Sequence, residues 1–307
     1  MSVALSVLDQ SPVAHDRDTA RAVRDTVRLA RAVDDLGYRR FWVAEHHNSA
    51  TFAGAAPVVL AATLLENTKQ MRIGTGGVLL PRHDPAHVAE TFHLLADLHP
   101  GRVDLGIGRA GGPAATFPAK VDLLRRTLAQ LRAGRSSGSG PALWLLGSGT
   151  VAAELAGEQG IDYCFGHFLS PAAGPALAAY TARSVRRPTL AVRVFVSPNG
   201  RRAGVLAADY LLWRARKDLG ANEPLPCEGE ADRHPWTAAE RIHAAHDAGA
   251  IVVGDPAEVG VRLTELAAAH GVEEVVVNTL APDLATASAP TSSWSRRCHE
   301  PGENVSR

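Results

Sequence analysis

Along nearly the whole chain, short β-branched apolar runs alternate with longer stretches whose apolar residues recur every three or four positions. Residues 3–8 predict a first strand. Over 19–37, Val23, Val27, Ala30 and Val33 share one helical face, and Gly37 ends the pattern. Strands are expected at 41–44, 71–80, 103–107, 142–146, 162–165, 190–196 and 274–278. Helices are expected at 57–68, with Pro57 in the first turn, and at 85–98, 121–132, 151–159 and 171–184. Two more stretches, near 201–219 and 236–246, precede a last helix at 256–270. Eight strands, each with a helix after or around it except the last, predict a single-domain α/β fold, a (β/α)8 TIM barrel. An open doubly wound sheet is the alternative.

Three segments depart from this rhythm. Residues 134–141 (GRSSGSGP) form a turn signal, and 222–235 reads as a surface excursion rich in proline and acid. The barrel domain is placed at 1–285 and a polar tail at 286–307.

Composition narrows the class. The chain has 307 residues, is 46% hydrophobic and 21% charged, and has a formal net charge of +0. That balance predicts neither a nucleic-acid partner nor an attraction to anionic membranes. No run of membrane-spanning length and no signal segment is read, so a cytoplasmic protein is expected. Cys164, Cys227 and Cys298 are widely spaced and are expected to be reduced thiols without metal spacing.

Candidate chemistry is found by asking what each strand delivers at its C-terminal end. Strand one delivers Asp9, Gln10 and Ser11; strand two delivers Glu45, His46 and His47. One acid and two imidazoles at a strand end are titratable groups on the rim where such folds bind ligands. Neighbouring strand residues point oppositely, so His46 and His47 are poor joint metal ligands. His83 and His87, and likewise His243 and His246, read as ordinary loop or helix histidines, and no metal is expected. Gly76 and Gly77 mark a bulge or a close approach of a flat ligand to the backbone. After strand five, Ser148, Gly149 and Thr150 form a turn whose amides could face an anion, with Arg109 one strand away as a cationic fork. A plain helix cap fits that turn equally. The other strand ends supply His167, Ser197, Asn278 and Thr279.

The motifs VLDQSP (7–12), WVAEHHN (42–48), RIGTGGVLLPRHDP (72–85), HPGRVDLGIGRA (99–110) and LLGSG (145–149), in this order, resemble the bacterial luciferase-like flavin-dependent monooxygenases. VGDPAEVGVRL (253–263) followed by EEVVVNT looks like that family's final helix and strand. The resemblance implies a TIM barrel that takes reduced FMN from a separate reductase. The reduced flavin would react with O2 through a C4a-(hydro)peroxyflavin to oxygenate a small organic substrate. It implies His46 as the catalytic histidine, with Glu45 beside it. Gly76-Gly77 would be a non-prolyl cis peptide against the flavin ring. Arg109, Ser148, Gly149 and Thr150 would form the phosphate clamp. It also implies a homodimer through helices two and three, and a tailoring step on a secondary metabolite such as a polyketide, as in antibiotic biosynthesis. Residues 109–142 are shorter than the family's usual mobile loop. A deazaflavin-dependent oxidoreductase and a non-catalytic flavin-binding protein are the alternatives.

Overall fold

A computed structural model describes residues 3–133 and 140–280. The element order is β1 (Ala4–Asp9), α1 (Thr19–Asp35), β2 (Arg40–Val43), α2 (Pro57–Asn67), β3 (Arg72–Thr75), β4 (Val78–Leu79), α3 (Pro85–Leu98), β5 (Val103–Gly108) and α4 (Phe117–Ala133). It continues with β6 (Ala142–Gly147), α5 (Thr150–Gln159), β7 (Asp162–Gly166), α6 (Gly174–Thr181), β8 (Thr189–Val196), α7 (Gly200–Asp218) and the short α8 (Glu230–Arg233). Last come α9 (Ala238–Ala248), β9 (Ile251–Gly254), α10 (Pro256–His270) and β10 (Glu274–Asn278).

All strand pairs are parallel, in the order β10-β1-β2-β3-β5-β6-β7-β8, and β10 returns to β8 to close the ring. The eight predicted strands therefore form a (β/α)8 barrel. The turn at 134–141 and the tail beyond 280 fall wholly or largely outside the described residues.

Helices start where the sequence supplies caps. Asp18 accepts from the Arg21 amide at the head of α1 (2.6 Å), and Asp255 forms a reciprocal capping box with Glu258 on α10. Strands wrapped by helices are apolar on both faces, as β8 shows with every residue buried. Between sheet and helices lies the main core, including Phe41, Ile73, Leu105, Leu145 and Val275.

Inside the barrel, Leu8, Trp42, Trp144, Ala191 and Val276 pack together. Below them sits a buried ionic plug. Arg40 donates to Glu274 (2.5 Å) and Asp104 (2.8 Å), and Trp42 Nε1 also donates to Asp104 (2.9 Å). The Arg40 guanidinium lies 4.5 Å from the Trp144 ring centroid. This plug closes the N-terminal end and leaves the C-terminal rim for ligands.

The structure corrects the sequence reading in three places. The expected strand 71–80 is split at Gly76-Gly77, which is a cis peptide bond. The chain resumes as β4, pairing with β5, and then forms a single 3-10 turn, Leu80–Arg82. The run Ile251–Gly254 is a strand that the reading missed; it pairs only with the C-terminal half of β8, from Arg193 to Val196. The segment 222–235 is not merely surface. Leu225 is buried and bridges Ala14, and Thr51 Oγ1 donates to the Glu223 carbonyl (2.6 Å).

Candidate active site at the C-terminal rim

His46 stands three residues beyond the end of β2, after Ala44 and Glu45, and is largely enclosed. Its ring lies 4.3 Å from Phe52, centroid to centroid, and its Nε2 is 2.9 Å from Gln10 Nε2. Arg193 Nη2 donates to Gln10 Oε1 (3.4 Å), which orients the amide so that Gln10 Nε2 donates to the imidazole. His46 Nε2 is then an acceptor, and the proton of the neutral ring sits on Nδ1. Burial, then the positive charges of Lys217 and Arg193, pull its pKa down to about 4, against a weaker upward pull from Glu45. At neutral pH, His46 is an uncharged imidazole of fixed tautomer.

Glu45 points elsewhere. One carboxylate oxygen accepts from His47 Nε2 (2.6 Å) and His83 Nε2 (2.8 Å), and the other accepts from the Leu79 amide (2.8 Å). Burial would raise the carboxyl, but these hydrogen bonds outweigh it and its pKa is lowered. Glu45 thus ties β2 to the chain just after the cis peptide. His83, read from sequence as an ordinary loop histidine, is one of its partners. Asn48, with φ of 51°, turns the chain left-handed after His47, a conformation that Asn tolerates. Asn222 then fixes the turn by accepting from the Ala50 amide and donating to the Asn48 carbonyl.

At Gly76-Gly77 the backbone is closely packed. A Cβ on Gly76 would stand 2.8 Å from a Leu8 methyl, and one on Gly77 2.8 Å from the Gly106 carbonyl oxygen. Only glycine fits both positions without displacement.

Arg109 lies exposed at the end of β5, and its Nη1 donates to the Gly112 carbonyl (2.9 Å). Ser148, Gly149 and Thr150 join β6 to α5 on the next strand. Gly149 is the N-cap, and no side chain caps the first-turn amides. Among the described residues no hydrogen bond or ion pair joins Arg109 to this turn.

The other strand ends take supporting roles. Asp9 accepts from Thr26 (2.5 Å) and the Ser11 amide (3.1 Å), and burial raises its pKa despite these bonds. Asn278 Nδ2 donates to the Leu8 carbonyl (2.7 Å), and Ser197 accepts from the Asn199 amide (3.3 Å). His167 is buried with Nδ1 unpaired, and burial lowers its pKa.

Arg193 and Lys217 escaped the sequence reading. Arg193 sits within the apolar run TLAVRVFV of β8, and Lys217 near the end of α7. A lone charge in an otherwise fully buried strand was the available signal. Cys164 and Cys227 are free thiols, and Cys298 lies outside the described residues. Among the described residues no group of three or more His, Cys, Asp or Glu is arranged to hold a metal ion. No helix there is long and apolar enough to cross a membrane.

Comparison with known proteins bears on the fold and the family. The sequence profile of the luciferase-like monooxygenases matches residues 1–133. A luciferase-like monooxygenase of Escherichia coli (strain K12) is 30% identical, over 90% of this chain and 91% of its own. The N-acetyl-S-alkylcysteine monooxygenase of Bacillus subtilis (strain 168) is 36% identical, over 55% of this chain and 58% of its own. The crystal structure of apo-MsnO8 superposes with a TM-score of 0.82 at 34% identity, covering 96% of this chain and 98% of that one. At 16% identity, the FMN complex of the oxygenating constituent of 3,6-diketocamphane monooxygenase, a type II Baeyer-Villiger enzyme of Pseudomonas putida, shares the fold (TM-score 0.70; 98% of this chain, 100% of that one). Full-length likeness at these identities, on a barrel with this rim, shows that the chain belongs to the luciferase-like monooxygenase family.

Proposed function

We propose that the protein is the oxygenating component of a two-component flavin-dependent monooxygenase. It would use reduced FMN and O2 to place one oxygen atom in a small organic substrate and release the other as water. The observation that carries this reading is His46: a neutral imidazole of fixed tautomer, shielded by Phe52, at the rim of a luciferase-like barrel.

The residues present fit the flavin. The β6–α5 turn keeps its first-turn amides uncapped, as an anion site requires, and Arg109 is exposed on the neighbouring strand. Ser148, Gly149, Thr150 and Arg109 would bind the phosphate, and the side-chain-free Gly76-Gly77 peptide would face the ring. When bound, reduced flavin supplies the two electrons that activate O2. His46 holds a proton on Nδ1 for hydrogen bonding or transfer at neutral pH, and Phe52 keeps water off its face. Glu45 is a positioning residue. It anchors the Leu79 amide and hence the segment after the cis bond.

Two partners belong to the proposal. Reduced flavin would reach the protein by diffusion from a separate reductase. A second copy would cover the outer face of α2 and α3, where Val59, Leu94 and Leu98 are 62%, 58% and 65% exposed. The substrate would be an organic molecule met in a tailoring step, such as a polyketide.

The test is anaerobic loading with reduced FMN, followed by mixing with oxygenated buffer and recording flavin absorbance. Reoxidation with a phase absent from free flavin, lost in His46→Ala, supports the reading. A trace matching protein-free flavin rejects it in favour of a deazaflavin-dependent enzyme or a non-catalytic binder.

A further inference from the structure

Two buried guanidinium groups in this barrel are treated very differently. Arg40, 3% exposed, is held by the carboxylates of Asp104 and Glu274. Arg193, 4% exposed, has no carboxylate in ion-pair contact among the described residues; Asp247 acts on it only at longer range. Among the described residues its one hydrogen bond is the long contact to Gln10, and its Nε and Nη1 atoms have no hydrogen-bond partner. Aromatic faces surround it, with Phe168 and Tyr210 centroids at 5.1 and 4.7 Å. A buried cation with unpaired donors is unfavourable unless something anionic completes it.

A second cation stands nearby. The Lys217 ammonium, on an exposed side chain, lies over the Trp213 and Phe52 rings at 4.8 and 5.1 Å; among the described residues it makes no ion pair, and Asp218 attracts it only at longer range. Phe52 is also the ring stacked on His46, and Gln10 joins Arg193 to His46. Burial, then repulsion from Arg214 and Arg193, lower the proton affinity of Lys217 against the pull of Asp218; burial lowers that of Arg193, with Arg214 adding to it and Tyr210 and Asp247 opposing. Two positive charges, each met by a carboxylate only at longer range, and an aromatic wall therefore meet beside the imidazole. They belong to β8 and α7, whereas the turn assigned to the flavin phosphate lies on β6–α5, with β7 between the two strands.

We propose that Arg193 and Lys217 receive the carboxylate of the organic substrate, so that this monooxygenase acts on small organic acids whose apolar body packs on Phe52, Phe168, Tyr210 and Trp213. Naming the ligand a substrate rests on the monooxygenase reading; the anion site itself does not. Charge-assisted hydrogen bonds beside aromatic faces supply the selectivity.

Isothermal titration of the full-length protein with phenylacetate and with neutral phenylacetamide tests the proposal. Phenylacetate is expected to bind at least about ten-fold more tightly, and Arg193→Met and Lys217→Met should each reduce that preference. Lys217 is partly solvent-exposed, so its variant remains informative if the Arg193 variant does not fold. Equal affinities, no binding of either probe, or a preference that survives both substitutions would overturn it. A second arm titrates FMN and riboflavin. The preference for FMN should be unchanged in Lys217→Met and Arg193→Met; its loss would assign the corner to the flavin phosphate instead. If carboxylate preference holds while the reoxidation trace matches free flavin, the anion site stands and the monooxygenase reading falls. The reverse pattern removes only the acid-substrate assignment.

Discussion

At the scale of single residues, His46 sets a pH dependence whose sign is fixed. In the unfolded chain it titrates near 6.5; in the fold it titrates near 4 because burial and two cations oppose protonation. Between these values the unfolded state binds more protons, so stability rises with pH across that window. The contribution is fully present above pH 6.5 and is lost as pH falls towards 4. Urea unfolding at pH 4.5 and pH 7 should show a loss of about 2 kcal/mol attributable to this group, absent in His46→Gln. An equal pH dependence in the variant would refute it. His46 was visible in the sequence because a strand signal ran directly into Glu45-His46-His47. Its surroundings were not. Gln10, Phe52, Arg193 and Lys217 come from separate segments, and only closure of the barrel brings them together. His83 was misjudged because its bond to Glu45 spans 38 positions, beyond any local periodicity.

Among the elements, the β6–α5 turn carries the clearest expectation. Its uncapped amides and the neighbouring Arg109 favour a dianion over a neutral hydroxyl. Arg109→Met should weaken FMN binding about ten-fold and leave riboflavin binding unchanged, read by fluorescence quenching of each flavin. Equal weakening of both would mean that the substitution disturbs the loop rather than the phosphate contact. Element types were largely legible: the eight barrel strands follow from the alternation of β-branched runs and helical faces. The split of β3 from β4 was not resolved in the strand assignment. Its glycine pair stood out from the sequence alone, while the cis geometry came from family likeness. Ile251–Gly254 was passed over although its apolar run was present, because a four-residue strand so close to a strong helix cap carries little periodic signal.

For the molecule as a whole, the buried ionic plug ties the ring together at the closed end of the barrel. Arg40 bridges Asp104 and Glu274, which sit on β5 and β10, and so fastens opposite parts of the ring. Arg40→Met would remove the cation that Asp104 and Glu274 share, leaving Asp104 to Arg72 and Glu274 to Arg39, and should lower unfolding free energy by about 3 kcal/mol in denaturant titration. A loss under about 1 kcal/mol would show that the carboxylates find other partners or protonate easily. The outer face of α2 and α3 makes a separate prediction. Leu94→Glu with Leu98→Glu should convert a dimer to a monomer in sedimentation equilibrium while the circular dichroism spectrum stays unchanged. A wild-type protein that sediments as a monomer would end the dimer proposal.

One junction in the wall has a broader implication. At Arg193 the sheet forks: β10 pairs with β8 up to this residue and β9 pairs from it onwards. The hoop is therefore completed without β9, and the stretch from Ser197 to Gly254 works as a side panel hung on a finished frame. Such a panel adds no rung to the hoop's own ladder, and it is fastened to the hoop's loops where Leu225 bridges Ala14 and where Glu223 and Trp213 meet Thr51. It carries Tyr210, Trp213 and Lys217, so relatives could diverge in what they accept by remodelling this one panel. Transplanting residues 197–254 between family members, together with the loop residues around 14 and 51 that they pack on, would then transfer ligand preference while the recipient barrel still folds.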